Sequence, residues 1–381
     1  MNSRIYLDYC ATTPVHPNVR NKMLYALDRD FGNPSSMHWA GKDSRQLVDQ
    51  ARIDVSRGIG CRPAEVLFTS GATEADNLSL FGILRQFPWN EAHLITSAVE
   101  HHAILHAARH LEHEGFSVTY LPVDKYGCVD VDDVRRAIRP ETKLISIMYV
   151  NNEVGSVQPI NEIGRIAREH NILFHTDAVQ AIGLYDVNVD DMNVDLLSLS
   201  AHKIYGPKGI GALYVRTGVA LSPMLFGGTQ EGSLRAGTEN VPGIVGLGAA
   251  MNLVCEHRTQ ERARLLELRK SLINGLQSIG SEVIVNGPQQ AVAPHILSIS
   301  FIGADAEMML IRLSNEGVAV SLGSACNSES VEPSHVLTAM KLPQEQIEST
   351  LRFSLGMPTT KSEVDIFLEA ITRVLPRVVV Q

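Results

Sequence analysis

Short, unbroken apolar runs separated by helical patterns constrain this chain more than any other feature. Five such runs are Val66-Leu67-Phe68-Thr69, Leu94-Ile95-Thr96, Leu144-Ile145-Ser146-Ile147-Met148, Ile172-Leu173-Phe174 and Leu196-Leu197-Ser198-Leu199. Before and between them the apolar residues recur with helical spacing. Pro17 to Phe31 carries Val19, Met23, Leu24 and Leu27 on one side, and residues 42–59 carry Leu47, Val48, Ala51, Val55 and Ile59. Further helices are expected from near Thr73, from about Ala103, and around Ile163 to Glu169. Continuous apolar strands alternating with helices imply an α/β fold with a mostly parallel sheet covered on both faces.

A segment from His257 to Ile279 places Leu265, Leu268, Leu272, Leu276 and Ile279 at helical spacing and reads as a connector to a second domain. There, strands are expected near Val283-Ile284-Val285 and Ile296-Leu297-Ser298-Ile299. A helix runs from Ala306 to a stop at Gly317, and a last helix starts at about Ser362. A chain of 381 residues, 44% hydrophobic and 20% charged, is long enough for one large core and a smaller second one.

The same bulk properties exclude several function classes. The net charge of -9 is spread along the chain with no basic run, which argues against stable nucleic-acid or membrane-surface binding. No apolar stretch approaches the roughly twenty residues of a membrane span. Met1-Asn2-Ser3-Arg4 leads straight into a strand without a secretory apolar region. The five cysteines (10, 61, 128, 255 and 326) are odd in number and never spaced C-x-x-C. That pattern points to a reducing, cytoplasmic setting and away from a disulfide framework or structural zinc.

Ligands of open parallel sheets bind beyond the carboxyl ends of the strands, so the residues just past each apolar run matter most. Ser70-Gly71-Ala72-Thr73 opens a helix whose N-terminal N–H groups suit a phosphate. Glu100-His101-His102 comes after the second run, and Asn151-Asn152-Glu153 after the third. Asp177 and Gln180 come after the fourth, where a carboxylate is costly unless paired. Ser200, His202 and Lys203 come after the fifth, ahead of a Gly206-Pro207 turn. Each has an ordinary reading alone: a capped helix, a surface histidine, a turn. Together they supply the groups that pyridoxal phosphate needs: an amine for its aldehyde, an acid for its ring nitrogen, an aromatic cover and a phosphate nest. A nicotinamide dinucleotide is the rival cofactor, but no G-x-G-x-x-G comes after the first strand, and no G-x-x-x-x-G-K-[ST] loop is present.

Several runs carry a resemblance. Tyr6-Leu7-Asp8-Tyr9-Cys10-Ala11-Thr12-Thr13-Pro14, Gly32-Asn33-Pro34-Ser35-Ser36, Thr69-Ser70-Gly71-Ala72-Thr73-Glu74, Ser200-Ala201-His202-Lys203 and Arg235-Ala236-Gly237-Thr238-Glu239-Asn240 resemble cysteine desulfurases of the NifS/IscS type. So do Gly323-Ser324-Ala325-Cys326 and Leu351-Arg352-Phe353-Ser354-Leu355-Gly356. The resemblance spans almost the whole chain in order. It implies the fold type I architecture of pyridoxal phosphate enzymes: a large domain over 16–257 with a seven-stranded type of sheet, and a small α/β domain from 1–15 and 258–381. The small domain would carry a catalytic-cysteine loop at about 321–333.

The same resemblance assigns roles. Lys203 would hold the cofactor aldehyde and move the α-proton, Asp177 would pair with the ring nitrogen, and His101 would stack on the ring and act in proton transfer. Gln180 would bond the phenolic oxygen. Gly71, Ala72, Thr73, Ser200 and His202 would cradle the phosphate, with Thr238 doing so across a homodimer. Asn152 would also contact the cofactor, and Arg352, with Asn152 and Asn33, would take the carboxylate of L-cysteine. Cys326, among small polar neighbours suited to a mobile surface loop, would be the nucleophile that gains a persulfide and passes it to acceptor proteins. Iron–sulfur clusters, tRNA thiolation, cofactor sulfur and phosphorothioate modification of DNA are the open destinations. A selenocysteine lyase or another class V enzyme is the alternative activity, and a non-catalytic scaffold the third reading.

Other residues fall outside these roles. Cys10 reads as structural, and Cys61 and Cys255 as core cysteines. His102, His106, His110 and His113 recur at helical spacing and read as a solvated face rather than a metal stripe; no metal is expected. The sequence closes at Val378-Val379-Val380-Gln381 without the longer tail by which housekeeping members dock an iron–sulfur scaffold, so a more specialised acceptor is expected.

Overall fold

A computed structural model describes residues 4–279, 282–323 and 333–378. The chain opens with strand β1 (Ile5–Tyr6), then helices α1 (Pro17–Asp28) and α2 (Trp39–Ile59). The next strands and helices are β2 (Val66–Thr69), α3 (Ala72–Leu84), β3 (His93–Ser97), α4 (His102–His113), β4 (Ser117–Leu121), α5 (Val131–Ala137) and β5 (Thr142–Ser146). Then come α6 (Ile160–Glu169), β6 (Leu173–Asp177), β7 (Leu196–Ser200), β8 (Gly211–Val215) and the long α7 (Val241–Gln277). The remainder is β9 (Val283–Asn286), β10 (Ile296–Phe301), α8 (Ala306–Asn315), β11 (Val318–Ala319), α9 (His335–Ala339), α10 (Gln344–Glu348), β12 (Thr350–Ser354) and α11 (Lys361–Val374).

Seven strands form the main sheet in the order β2-β8-β7-β6-β5-β3-β4. All neighbours are parallel except β8, which runs antiparallel to both β2 and β7. Two reversals restore direction, so β2, β3, β5, β6 and β7 deliver their carboxyl ends to one edge. Both faces are dry, and the twofold period of a strand divides them. Phe68, Ile95, Ile145, Phe174 and Leu197 belong to one buried cluster. Their neighbours Leu67, Leu94, Leu144, Leu173 and Leu196 pack into the other. This is why the strands read as continuous apolar runs.

A third cluster holds Leu265, Leu268, Leu272 and Leu276 of α7 against β10, β12 and α11. Its sheet is antiparallel, β12-β10-β9, flanked by the β1-β11 pair. Helix α7 runs unbroken through residues 257 and 258. Its first half carries Gly246 and Gly248, poor helix formers. A Cβ on Gly248 would lie 2.8 Å from the Ala51 Cα, and one on Gly246 would lie 2.8 Å from Pro207. Glycine there lets α7 press against α2 and the turn after Lys203. No helix among the described residues is long and apolar enough to cross a membrane.

Candidate active site

The five parallel strand ends open into a cleft of ≈ 550 Å³. Its lining includes Gly71, Ala72 and Thr73 from the start of α3, His101, Asn152, Asp177, Gln180, Ser200, His202, Lys203 and Arg352. The residues singled out at the strand ends therefore do converge. Two expected members lie elsewhere. Asn33 and Thr238 are exposed and off the cleft, and the Asn33 side chain only caps its own turn, accepting the Ser35 N–H at 2.9 Å. Cys326 lies outside the described residues; Gly323, at the edge of that segment, lines the cleft.

Lys203 ends a single helical turn after β7. Its Nζ donates to the carbonyls of Cys10 and Ala11, the latter at 3.0 Å. The N-terminal segment is stitched over that turn. Thr13 donates its N–H and its hydroxyl to the His202 carbonyl at 2.8 and 2.9 Å, and His202 Nδ1 meets the Thr12 hydroxyl at 3.2 Å. Two residues beyond Lys203, Tyr205 takes a left-handed backbone (φ 67). That conformation is held by Thr13 Oγ1, which accepts its N–H at 2.8 Å, and by its own hydroxyl, which accepts the Met357 N–H at 2.7 Å. The motif around Cys10 thus packs beneath the lysine. Cys10 itself is buried, and burial raises its thiol pKa, as suits a structural cysteine rather than a nucleophile.

Asp177 ends β6, accepts the Val179 N–H at 2.9 Å, and is pushed by burial to about 6, against the opposing pull of that hydrogen bond and of the Lys203 charge. His101 caps α4 by accepting the Ala103 N–H at 3.2 Å. Burial, with the charge of Lys203, brings it down to about 4, so its imidazole is neutral at pH 7. Gln180 donates through Nε2 to the Cys10 carbonyl at 3.2 Å.

Arg352 on β12 reaches across from the small sheet. Its Nη1 donates to the carbonyls of Asn152 at 3.1 Å and Gly323 at 2.9 Å, and its Nη2 pairs with Asp8 at 2.8 Å. Burial works against the guanidinium charge, but the Asp8 carboxylate, by its charge and its hydrogen bond, helps restore it. Three of its five N–H donors are thereby used. Nε has no partner among the described residues, so Nε–H and one Nη2–H remain.

Several groups at the site are given no role by the sequence. Asp8 pairs with Arg352. Asp76 of α3 and Glu100 are buried carboxyls close to Asp177; burial and then the Asp177 charge raise Asp76, and burial lifts Glu100 to about 8. His335 packs its ring 4.7 Å from His102, which stacks on His106 at 5.0 Å. His110 lies at an edge contact with Phe81, 5.8 Å away, and meets Glu114 at 3.3 Å. Among the described residues, no three histidine, cysteine or acidic side chains are placed to hold a metal ion. Cys61 and Cys255 are half-buried against the core, and no disulfide joins the described cysteines.

The donor set fits pyridoxal phosphate. Helix α3 starts at Gly71 with no side-chain cap, and a Cβ on Gly71 would meet nothing within 4 Å. The first turn lines the cleft and its N–H groups lack a side-chain cap, which suits a cradle for a dianion. An amine, a carboxyl and a neutral imidazole surround the same volume.

Comparison with known proteins agrees. The aminotransferase class-V family model matches residues 5–367. The cysteine desulfurase IscS of Dictyoglomus turgidum is 46% identical over 377 residues, covering 99% of this chain and 96% of the relative. A solved NifS-like protein superposes with a TM-score of 0.93 at 36% identity, covering 99% of this chain and all of that one. A structure of SspA in complex with cysteine gives a TM-score of 0.83 at 40% identity over 93% of this chain and 99% of that one. The fold and cleft define a pyridoxal phosphate enzyme of fold type I. Within that class, the chain belongs to the class-V aminotransferase family, on its IscS/NifS cysteine desulfurase branch.

Proposed function

We infer that the chain removes sulfur from L-cysteine, giving L-alanine and a persulfide on Cys326, and that the cleft residues divide the work. Lys203 would hold the cofactor's aldehyde, and its amine would move the proton at the substrate's Cα. Asp177, anionic beside the lysine charge, would pair with the ring nitrogen. His101 would lie against the ring and, being neutral, would accept or return a proton. Gly71, Ala72, Thr73, Ser200 and His202 would hold the phosphate. Pyridoxal phosphate supplies an electron sink conjugated to the substrate's Cα.

The two uncommitted N–H groups of Arg352 suit the substrate carboxylate as a fork, with Asn152 beside them. The Cys326 thiolate attacks the substrate's sulfur. An S–S bond forms as the substrate's C–S bond breaks, and the released electron pair is taken up with a proton at carbon, leaving alanine. The persulfide then passes to an acceptor protein. The observation that carries this reading is the meeting of Lys203, Asp177, His101 and the uncapped start of α3 in one cleft.

A homodimer completes the site. Leu24, Tyr25, Leu27, Phe31, Met37 and Trp39 are all exposed on α1, the segment after it and the start of α2, which suits a subunit interface. Exposed Thr238 and Asn33 suit delivery to a second copy's cleft. The test of the function is Cys326→Ala. Alanine and sulfide formation from L-cysteine should be lost while the visible absorption of the bound cofactor stays. Unchanged turnover would overturn the reading.

A further inference from the structure

His295 stands immediately before β10, on the small-domain side of the cleft, and is almost completely buried. Its carbonyl accepts the Leu355 N–H at 2.9 Å, which fixes it to the small antiparallel sheet. Its Nε2 lies 3.3 Å from Gln180 Oε1. Nδ1 has no hydrogen-bond partner among the described residues.

Donor arithmetic fixes the protons. The Cys10 carbonyl can only accept, so the Gln180 group facing it at 3.2 Å is the amide nitrogen. Oε1 therefore faces His295, and Oε1 can only accept. The imidazole must carry its proton on Nε2. Burial, with the charges of Arg269 on α7 and of Lys203, holds the ring pKa at about 3, so the neutral Nε2–H form persists throughout the working range. One N–H of Gln180 is spent on Cys10, whose carbonyl also receives Lys203. The second N–H is left for a partner in the cleft that Gln180 lines.

We propose that His295 is a positioning residue for the desulfurase reaction: its Nε2–H locks the Gln180 amide so that the remaining Gln180 N–H is held toward the cofactor's phenolic oxygen. The device ties the strand register of the small sheet to the cofactor through His295, Gln180 and Cys10 in turn. It rests on the assignment of Gln180 to the phenolic oxygen. His295 also lines a small cavity behind Lys203, together with Tyr9, Thr13, Tyr205 and Glu261.

The test uses the holoenzyme and the pH midpoint of its visible cofactor band. Loss of a hydrogen bond to a charged oxygen moves such a midpoint by about one pH unit. His295→Leu should shift it by that much and lower kcat about tenfold with little change in the KM for L-cysteine. His295→Gln, whose amide nitrogen falls near the position of Nε2, should restore the wild-type midpoint. Gln180→Leu should reproduce the His295→Leu shift. No shift in His295→Leu while Gln180→Leu shifts overturns the proposal alone. No shift in either overturns the Gln180 assignment and the proposal with it. A His295→Gln variant displaced as far as Leu reduces His295 to packing and also overturns it. Nitrogen NMR of the wild-type imidazole decides without any variant: an Nε2–H neutral ring is expected, and an Nδ1–H or doubly protonated ring contradicts the proposal.

Discussion

Replacing Arg352 by lysine keeps a cation in the cleft and removes the fork. In the wild type, three guanidinium N–H groups are committed to Asn152, Gly323 and Asp8. The ammonium of lysine has three donors in all. Held by Asp8 and the two carbonyls, it has none left for a substrate carboxylate. A charge-assisted hydrogen bond contributes about 1.5–3 kcal/mol, so losing the fork should cost roughly 2–3 kcal/mol in transition-state binding. That is a fall of roughly 30- to 150-fold in kcat/KM. Because the carboxylate is bound alike before and during the chemistry, most of the fall should appear as a higher KM. Alanine formation over a range of L-cysteine concentrations measures both constants. The visible cofactor spectrum and the melting temperature serve as controls for folding. A kcat/KM within about threefold of wild type, with intact cofactor, would refute the fork.

The same geometry carries three further outcomes. Glu100 titrates at about 8 in the folded chain against an ordinary 4.5. Between those values the folded state keeps a proton that the unfolded state releases, so stability falls as pH rises. The slope reaches up to ~1.4 kcal/mol per pH unit and levels off above about pH 8. Glu100→Gln should flatten it, and urea unfolding at about pH 6 and pH 8.5 would expose an unchanged slope as a contradiction. Gly71→Ala should leave stability within about 0.5 kcal/mol, since the new Cβ touches nothing. It should weaken pyridoxal phosphate at least about tenfold by crowding the phosphate cradle, so equal affinity would remove the phosphate from that helix end. Phe31→Asp, on the exposed apolar surface, should convert a dimer to a monomer in light scattering; a wild type that is already monomeric would defeat the shared-site reading.

Much of this site is legible in the sequence for a physical reason. A lysine or carboxylate at the end of a buried strand is costly in a core, so Lys203 and Asp177 stand out before any partner is known. The same logic singles out Gly71 to Thr73 and His101. The alternation that divides β2, β3, β5, β6 and β7 between two dry faces makes the architecture readable. The rest depends on contacts distant in sequence. Asp8 acquires meaning from Arg352, 344 residues away, and His295 from Gln180. Asp76 looks like an exposed helix residue until α3 is laid on the sheet. Edge strand β4 is half-buried and mixed in polarity, so its sequence resembles a loop. Strand β8 is hidden behind the Gly/Pro turn after Lys203. The first half of α7 is obscured by the glycines that let it approach α2. The periodicity accordingly places the start of the small-domain helix at His257, whereas a single helix begins much earlier, at Val241.

In the proposed function Lys203 and Cys326 act in sequence, the amine moving the substrate's proton and the thiol taking its sulfur. Mass spectrometry of the Cys326 peptide after a single turnover with L-cysteine tests that order most directly. A gain of one sulfur atom on Cys326 in the wild type, and none in Lys203→Ala, is the expected result. Alanine formed with no sulfur on Cys326, or sulfur on Cys326 in the Lys203→Ala variant, would contradict it.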